Sequence, residues 1–251
     1  MYDILESLLK DYKGDIIFKC FSIWHFLFMF IIFGGIITAV ILLKNRSYKT
    51  KEKVLNIVIT SVFALYILDF FLMPFAYGSI DIEKLPFHIC TLSCVLCFLS
   101  RYNKFLNKFR VHFALLGLIG NITYVLYPAG VEWCQIAPYS YRVIQTIFFH
   151  GLMTMYGILT IIYDKEKLKW KTAYIDLIML SIFVVWALIG NYAYTNENSF
   201  RNWLFVVQDP FNALPKDIAP IVMPFLTLIL LFFADIVIRF IYFLIKKIIR
   251  K

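Results

Sequence analysis

The sequence predicts an all-α fold, a polytopic membrane bundle of seven transmembrane helices with the N-terminus outside and the C-terminus in the cytoplasm. Three observations carry this. The chain is 61% hydrophobic and 16% charged, whereas a soluble domain carries roughly 25% charge. Its apolar residues gather into seven long stretches, most of them close to the roughly 20 residues that cross a hydrocarbon core as helix. Its cations alternate: the runs Lys44–Lys53, Arg101–Arg110, Asp164–Lys171 and Lys246–Lys251 hold 17 of the 25 Lys and Arg. Basic loops stay on the cytoplasmic side, so every second connection is assigned there.

The elements follow in order. Phe21–Leu43 is an uninterrupted apolar stretch. Val54–Ala76 contains Pro74 near its end, where a membrane helix tolerates it. Pro86–Ser100 is short, with Pro86 suited to a first helical turn. Val111–Tyr127 stops at Pro128-Ala129-Gly130. Arg142–Tyr163, Ala173–Tyr192 and Ile218–Ile245 complete the set. Seven is an odd number, so the termini fall on opposite sides, in agreement with the charge pattern. With no internal repeat and no low-complexity linker, residues 1–251 read as one membrane domain. The longest connection assigned to the outside, Ala193–Asp217, carries Arg201-Asn202-Trp203-Leu204-Phe205. That mixture suits a segment at the interface or one folded back into a cavity.

Composition also excludes readings. The net charge of +9 is accounted for by alternate loops, leaving no basic domain to hold nucleic acid; anionic lipid is the partner it fits. Met1–Asp15 contains Asp3, Glu6, Asp11 and Asp15 and lacks the basic start and small-residue cleavage site of a signal peptide. The five cysteines, Cys20, Cys90, Cys94, Cys97 and Cys134, are odd in number and clustered, unlike a disulfide framework. No cofactor motif is present, and no dense spacing such as HExxH gathers metal ligands.

Polar residues inside membrane spans are costly and mark function or pairing. Here they share a level. Asp69 lies in the outer half of the second span, His88 and Cys90 open the third, and Asn121 is in the outer half of the fourth. Gln145 and His150 enter the fifth from outside, His150 being roughly 12 Å deep at 1.5 Å per residue. Asn191 and Tyr192 close the sixth, and His25 lies in the outer part of the first. These positions predict a polar cavity open to the outside or to the outer leaflet. On the inner side, Asp235 and Arg239 are four residues apart and face each other on one helix, while Asp176 and His112 each begin a span. Cys90, Cys94 and Cys97 form an i, i+4, i+7 stripe of which Cys94 and Cys97 suit a small-residue packing seam. His88 and Cys90 are about 200° apart on a helix, so a base for Cys90 must come from another span. His150 is the candidate, with Asp69, Asn121 or Gln145 to orient it.

The segment Leu85-Pro86-Phe87-His88-Ile89-Cys90 resembles the L-P-x-H-x-C signature of the bacterial YwaF-like integral membrane proteins. Phe149-His150-Gly151 resembles their aromatic-His-Gly element. Asn191-Tyr192 and Asp209-Pro210-Phe211 stand where that family has an Asn-Tyr and a Pro-aromatic element, in the same order. More distantly, the YwaF-like proteins resemble an animal seven-span acyltransferase family that remodels ether phospholipids with a membrane Cys and His. That family's cysteine immediately precedes the motif His, where this chain has Phe87; Cys90 stands nearly a turn further along.

The resemblance implies a lipid acyltransferase or acyl hydrolase at the outer leaflet of the cell membrane. Cys90 is then the nucleophile, His150 the base and His88 a residue that holds the entrance or a headgroup phosphate. Asp69, Asn121, Gln145, Asn191 and Tyr192 line the substrate site, without metal or cofactor. The alternative from the residues themselves is a non-catalytic transporter or binding protein for a small polar solute or lipid headgroup.

Overall fold

The structure is a computed structural model that describes residues 9, 11–13, 15–78, 82–165, 167–196 and 201–249. Among the described residues there are helices and connecting loops but no strand. The long helices are α1 (Ile23–Leu43), α2 (Tyr48–Tyr77), α3 (Ile89–Leu99), α4 (Arg110–Leu126), α5 (Tyr141–Tyr163), α6 (Ala173–Tyr194) and α7 (Ala219–Ile249). They stand where the sequence predicts spans. Five of them, α1, α2, α5, α6 and α7, contain segments long and apolar enough to cross a membrane; α3 and α4 are shorter apolar helices of 11 and 17 residues.

The largest shift in boundary is at α2, which begins at Tyr48 rather than Val54, so much of the first basic run is helical. Ser47 caps it by accepting the Thr50 N–H at 3.3 Å. Within that first turn the Tyr48 hydroxyl donates to Glu52 at 2.5 Å, an i, i+4 pair. At the other end Gly78, with φ of 72°, donates its N–H to the Pro74 carbonyl, a left-handed C-cap of the kind glycine permits.

The chain divides into two compact units, residues 1–84 with 93–166, and residues 85–92 with 167–251. In the first, α5 runs against α1, α2 and α4. Gly157 permits the close approach to α4: a Cβ there would stand 2.8 Å from the Leu118 Cβ and 2.9 Å from the Ala114 carbonyl oxygen. Small residues serve this purpose in membrane bundles, where close van der Waals contact replaces the hydrophobic drive. The N-terminal segment lies along the connection between α4 and α5. Phe18 N–H donates to the Ile136 carbonyl and Ala137 N–H to the Tyr12 carbonyl, each at 2.8 Å. Arg142 pairs with Asp11 at 3.1 Å.

In the second unit α6 packs on α7, and the segment around Trp203 packs on both. The connection Ala193–Asp217 is neither an open loop nor a surface helix at this point. Trp203 and Val206 are fully buried and Leu204 nearly so. Of the two forms its composition allows, the segment takes the one folded back into the protein.

Candidate functional site

In the first unit, α4 and α5 bring Asn121 and His150 together. The His150 Nδ1 and the Asn121 Oδ1 are 2.7 Å apart, and the Asn121 Nδ2 donates to the Gly117 carbonyl at 2.6 Å. The amide nitrogen is committed to that carbonyl, so its oxygen faces the ring and His150 carries its proton on Nδ1. In the neutral ring Nε2 is then the lone-pair nitrogen. Tyr124 stacks on the ring at 3.9 Å between centroids, and Phe149 meets it edge-on at 5.1 Å. Both Asn121 and His150 are buried. Of the three residues able to orient His150, Asn121 is the one shown bonded to it. Asp69 instead pairs with Lys84 at 2.7 Å, beside Tyr66, whose hydroxyl donates to the Lys84 carbonyl. Gln145 is buried and accepts a hydrogen bond from Thr146 at 3.2 Å.

His25, on α1, has a structural position. Its Nδ1 accepts the Phe21 N–H at 2.9 Å, so its Nε2–H is the donor to the Val125 carbonyl, also at 2.9 Å. Cys20, just before α1, has its thiol pushed up to about 12 by burial and then by the neighbouring Glu132 carboxylate. Cys20 and Cys134 are both free thiols.

In the second unit the Leu85–Cys90 segment is held by Phe87. Its ring stacks on Trp186 at 5.1 Å and tilts against Trp203 at 4.8 Å. The Trp186 indole N–H donates to the Pro86 carbonyl. Gly190 leaves room for the ring, since a Cβ there would lie 2.4 Å from the Phe87 Cδ1. Asn191, one residue on, holds Trp203 by its backbone: the Trp203 N–H donates to Oδ1 at 2.7 Å and Nδ2 donates to the Trp203 carbonyl at 3.0 Å. The Pro-aromatic-His, Gly-Asn and Trp elements, distant in sequence, thus form one knot.

The returning segment is closed from within. Asn202 Oδ1 accepts from the Val207 and Gln208 N–H groups, and its Nδ2 donates to the Gln208 carbonyl. Asp209 accepts from Phe211, Ala213 and Leu214 N–H groups. These bonds hold the Asp209 carboxyl below its ordinary value, that of Phe211 most strongly, against an opposing effect of desolvation. Leu204 and Phe205 both have positive φ, 60° and 54°, a conformation side chains rarely adopt and one found where function tolerates strain. The Leu204 N–H points at the His88 Nδ1, 3.4 Å away. His88 and Cys90 are partly exposed, Cys94 and Cys97 are buried, and Tyr192 is 66% exposed. Asn191 is committed to Trp203 and Tyr192 points to the surface, so these neighbours have different roles.

Two charged clusters complete the picture, neither of them readable as a whole from the sequence. Glu52 Oε1 accepts from Arg101 at 2.7 Å and Arg110 at 2.9 Å, and Arg110 reaches Asp164 at 2.5 Å. Arg239 pairs with Asp235 at 2.9 Å as its spacing predicts. It also meets Asp176 and donates to the Lys169 carbonyl. Arg239, Asp235 and Asp176 are fully buried. The signals available beforehand were the membrane depth of Asp176 and the helical phase of Arg239; the pairing itself spans the distance between two helices. Among the described residues, no group of three or more His, Cys, Asp and Glu gathers to hold a metal ion.

Comparison with known proteins adds one result. Neither the curated proteins nor the solved structures include a match. A family model described as the TMEM164 family matches residues 20–245. That range takes in every long helix but the last residues of α7, including the knot around Phe87 and the Asn121–His150 pair, so the chain belongs to the TMEM164 family of integral membrane proteins.

Proposed function

We propose that this protein is a membrane-embedded acyltransferase or acyl hydrolase acting on a phospholipid ester at the outer leaflet of the cell membrane. The observation that carries the reading is the Asn121–His150 pair. A buried imidazole with its proton fixed on Nδ1 by an amide oxygen presents Nε2 as a base, the arrangement that activates thiol nucleophiles. Cys90 enters as the nucleophile on its place in the L-P-x-H-x-C segment, which resembles the YwaF-like proteins and, at a greater distance, the animal ether-phospholipid acyltransferases. The alternating basic loops supply the orientation.

In this mechanism Cys90 gives its proton to a general base and the thiolate sulfur bonds to the ester carbonyl carbon. The carbonyl π pair moves onto oxygen. When it returns, the bond to the leaving alkoxide breaks and the lysolipid oxygen receives the proton from the base. The acyl group now sits on Cys90 as a thioester. A second hydroxyl, from a lysolipid in transfer or from water in hydrolysis, attacks it while the base takes and returns one proton. His150 is the residue proposed for that base. Tyr192, at the exposed end of α6, and Gln145 are proposed to contact the lipid. Asp69 and Asn191 are each committed within their own unit, to Lys84 and Trp203.

The test is trapping of the thioester. Full-length protein in vesicles of a diacyl phospholipid with a labelled acyl chain becomes labelled in a hydroxylamine-sensitive manner. Cys90→Ser abolishes that label and His150→Gln slows its appearance. Equal lipid turnover by Cys90→Ala and the wild type removes Cys90 from the mechanism. Binding of lipid without any covalent adduct in the wild type favours the binding-protein reading.

A further inference from the structure

His88 and His150 stand in opposite tautomers, and the difference gives His88 a task of its own. His150 donates from Nδ1 to Asn121. His88 does the reverse: its Nδ1 faces the backbone N–H of Leu204. An N–H can only donate, so Nδ1 is bare and the proton of the neutral ring sits on Nε2. That N–H has no partner among the described residues, although His88 is partly exposed. The arrangement is enforced at some cost. Leu204 and Phe205 hold left-handed backbone, and Asn191 grips the preceding Trp203 at both its N–H and its carbonyl. Phe87, packed against Trp203 and over Gly190, fixes the residue before His88. Thr91 holds the far side by donating to the His88 carbonyl at 3.2 Å.

A ring held this way makes a poor general base, because the nitrogen with the lone pair is already occupied. It makes a good fixed donor. His88 lies just before the first residue of α3, Ile89, so the helical angle expected between His88 and Cys90 does not apply. Resting on the acyl-transfer reading above, we infer that the His88 Nε2–H is a catalytic donor that receives the carbonyl oxygen of the acyl ester attacked by Cys90, two residues away in the same short segment. As the sulfur bonds to carbon and the π pair moves onto oxygen, the N–H strengthens its hydrogen bond to the developing oxyanion; no proton leaves His88. As the C=O re-forms, the bond relaxes. Leu204 and Asn191 are the positioning residues that keep the proton on Nε2.

The experiment uses full-length protein with 15N-labelled histidine in bilayers. The chain has 4 His, and single replacements assign their signals. The expected spectrum shows His88 protonated at Nε2 and bare at Nδ1, with His150 the reverse; a proton on the His88 Nδ1 overturns the inference. Bilayers of diacyl phospholipid are then compared with bilayers of a dialkyl ether phospholipid of the same headgroup, which has phosphate but no carbonyl. A shift of the His88 Nε2–H signal in the diacyl lipid alone supports the inference. A shift in both, which would mark a headgroup phosphate, or in neither, overturns it.

In turnover, the side-chain amide nitrogen of His88→Gln stands in for Nε2–H and that of His88→Asn does not. His88→Gln retains most of kcat, and His88→Asn loses about 10²-fold with KM little changed, the scale of one oxyanion donor. Equal loss in the two variants overturns the inference. A wild type that transfers no acyl group ends the enzyme reading, and the lipid dependence of the His88 signal then decides whether His88 still receives an ester oxygen.

Discussion

The ring of Phe87 occupies the space that a side chain at Gly190 would need: a Cβ there would lie 2.4 Å from Cδ1, 2.6 Å from Cγ and 2.7 Å from Cε1. Gly190→Ala must therefore move the ring, which is also wedged against Trp186 and Trp203. Overpacking of this kind costs about 1–3 kcal/mol. The expected result is a lower midpoint of thermal unfolding in detergent, together with faster maleimide labelling of Cys90. An unchanged midpoint would mean that the ring has room the structure does not show.

Asn121→Ala removes the acceptor for the His150 Nδ1–H, a buried donor. Loss of a buried partner costs about 1–3 kcal/mol, and a freed imidazole is misplaced on the scale that slows reactions by about 10²-fold. Acyl transfer by Asn121→Ala should fall by that factor in kcat with KM nearly constant. Asn121→Asp, which keeps an oxygen in place, should retain more activity. The check is steady-state kinetics in vesicles.

Arg110 joins Glu52 on α2 to Asp164 at the end of α5. Arg110→Leu takes the cation from between them, and breaking a buried pair from one side costs about 3–5 kcal/mol. Arg110→Leu with Asp164→Leu should recover much of that loss, because both buried charges are gone. A double-mutant cycle on unfolding free energy measures the coupling; simple additivity would show that the two side chains act independently.

Asp209 gives a pH dependence of known sign. The folded carboxyl is held below its unfolded value, first by the Phe211 N–H and then by those of Leu214 and Ala213. A lowered folded value means that this contribution is fully present above about pH 4, the unfolded carboxylate value, and is lost as pH falls through the lower folded value. Hydrogen exchange at the Phe211, Ala213 and Leu214 amides should accelerate selectively across that acid window. Asp209→Ala should exchange fast at every pH and remove the transition.

The long helices were legible because hydrocarbon thickness imposes a length and an apolar run that a membrane chain must show in one dimension. Expected and observed boundaries differ by a few residues at most helices. The exception, the early start of α2, comes from Lys49–Lys53 forming a helical turn around Glu52 where the sequence shows only a basic loop. The Asn121–His150 pair was legible as one of three choices, since depth along a span can be counted. What could not be counted was azimuth between helices. Asp69 faces Lys84 and Asp176 faces Arg239, and both partnerships depend on how helices are rotated about their axes. The buried Trp203 segment was legible as unusual but not as inward, because its composition suits a membrane surface equally well.

The bond from His25 to the Val125 carbonyl joins residues 100 apart in sequence. A membrane chain is made from its N-terminus, so α1 is synthesised before the end of α4 exists. Until then its imidazole N–H has no Val125 to meet, in surroundings where an unsatisfied polar group costs several kcal/mol. α1 is thus built with a debt that only α4 can discharge. Truncations ending between residues 43 and 125 should leave α1 loosely held, and the arrival of Val125 times the moment at which the N-terminal half of the protein becomes a committed structure.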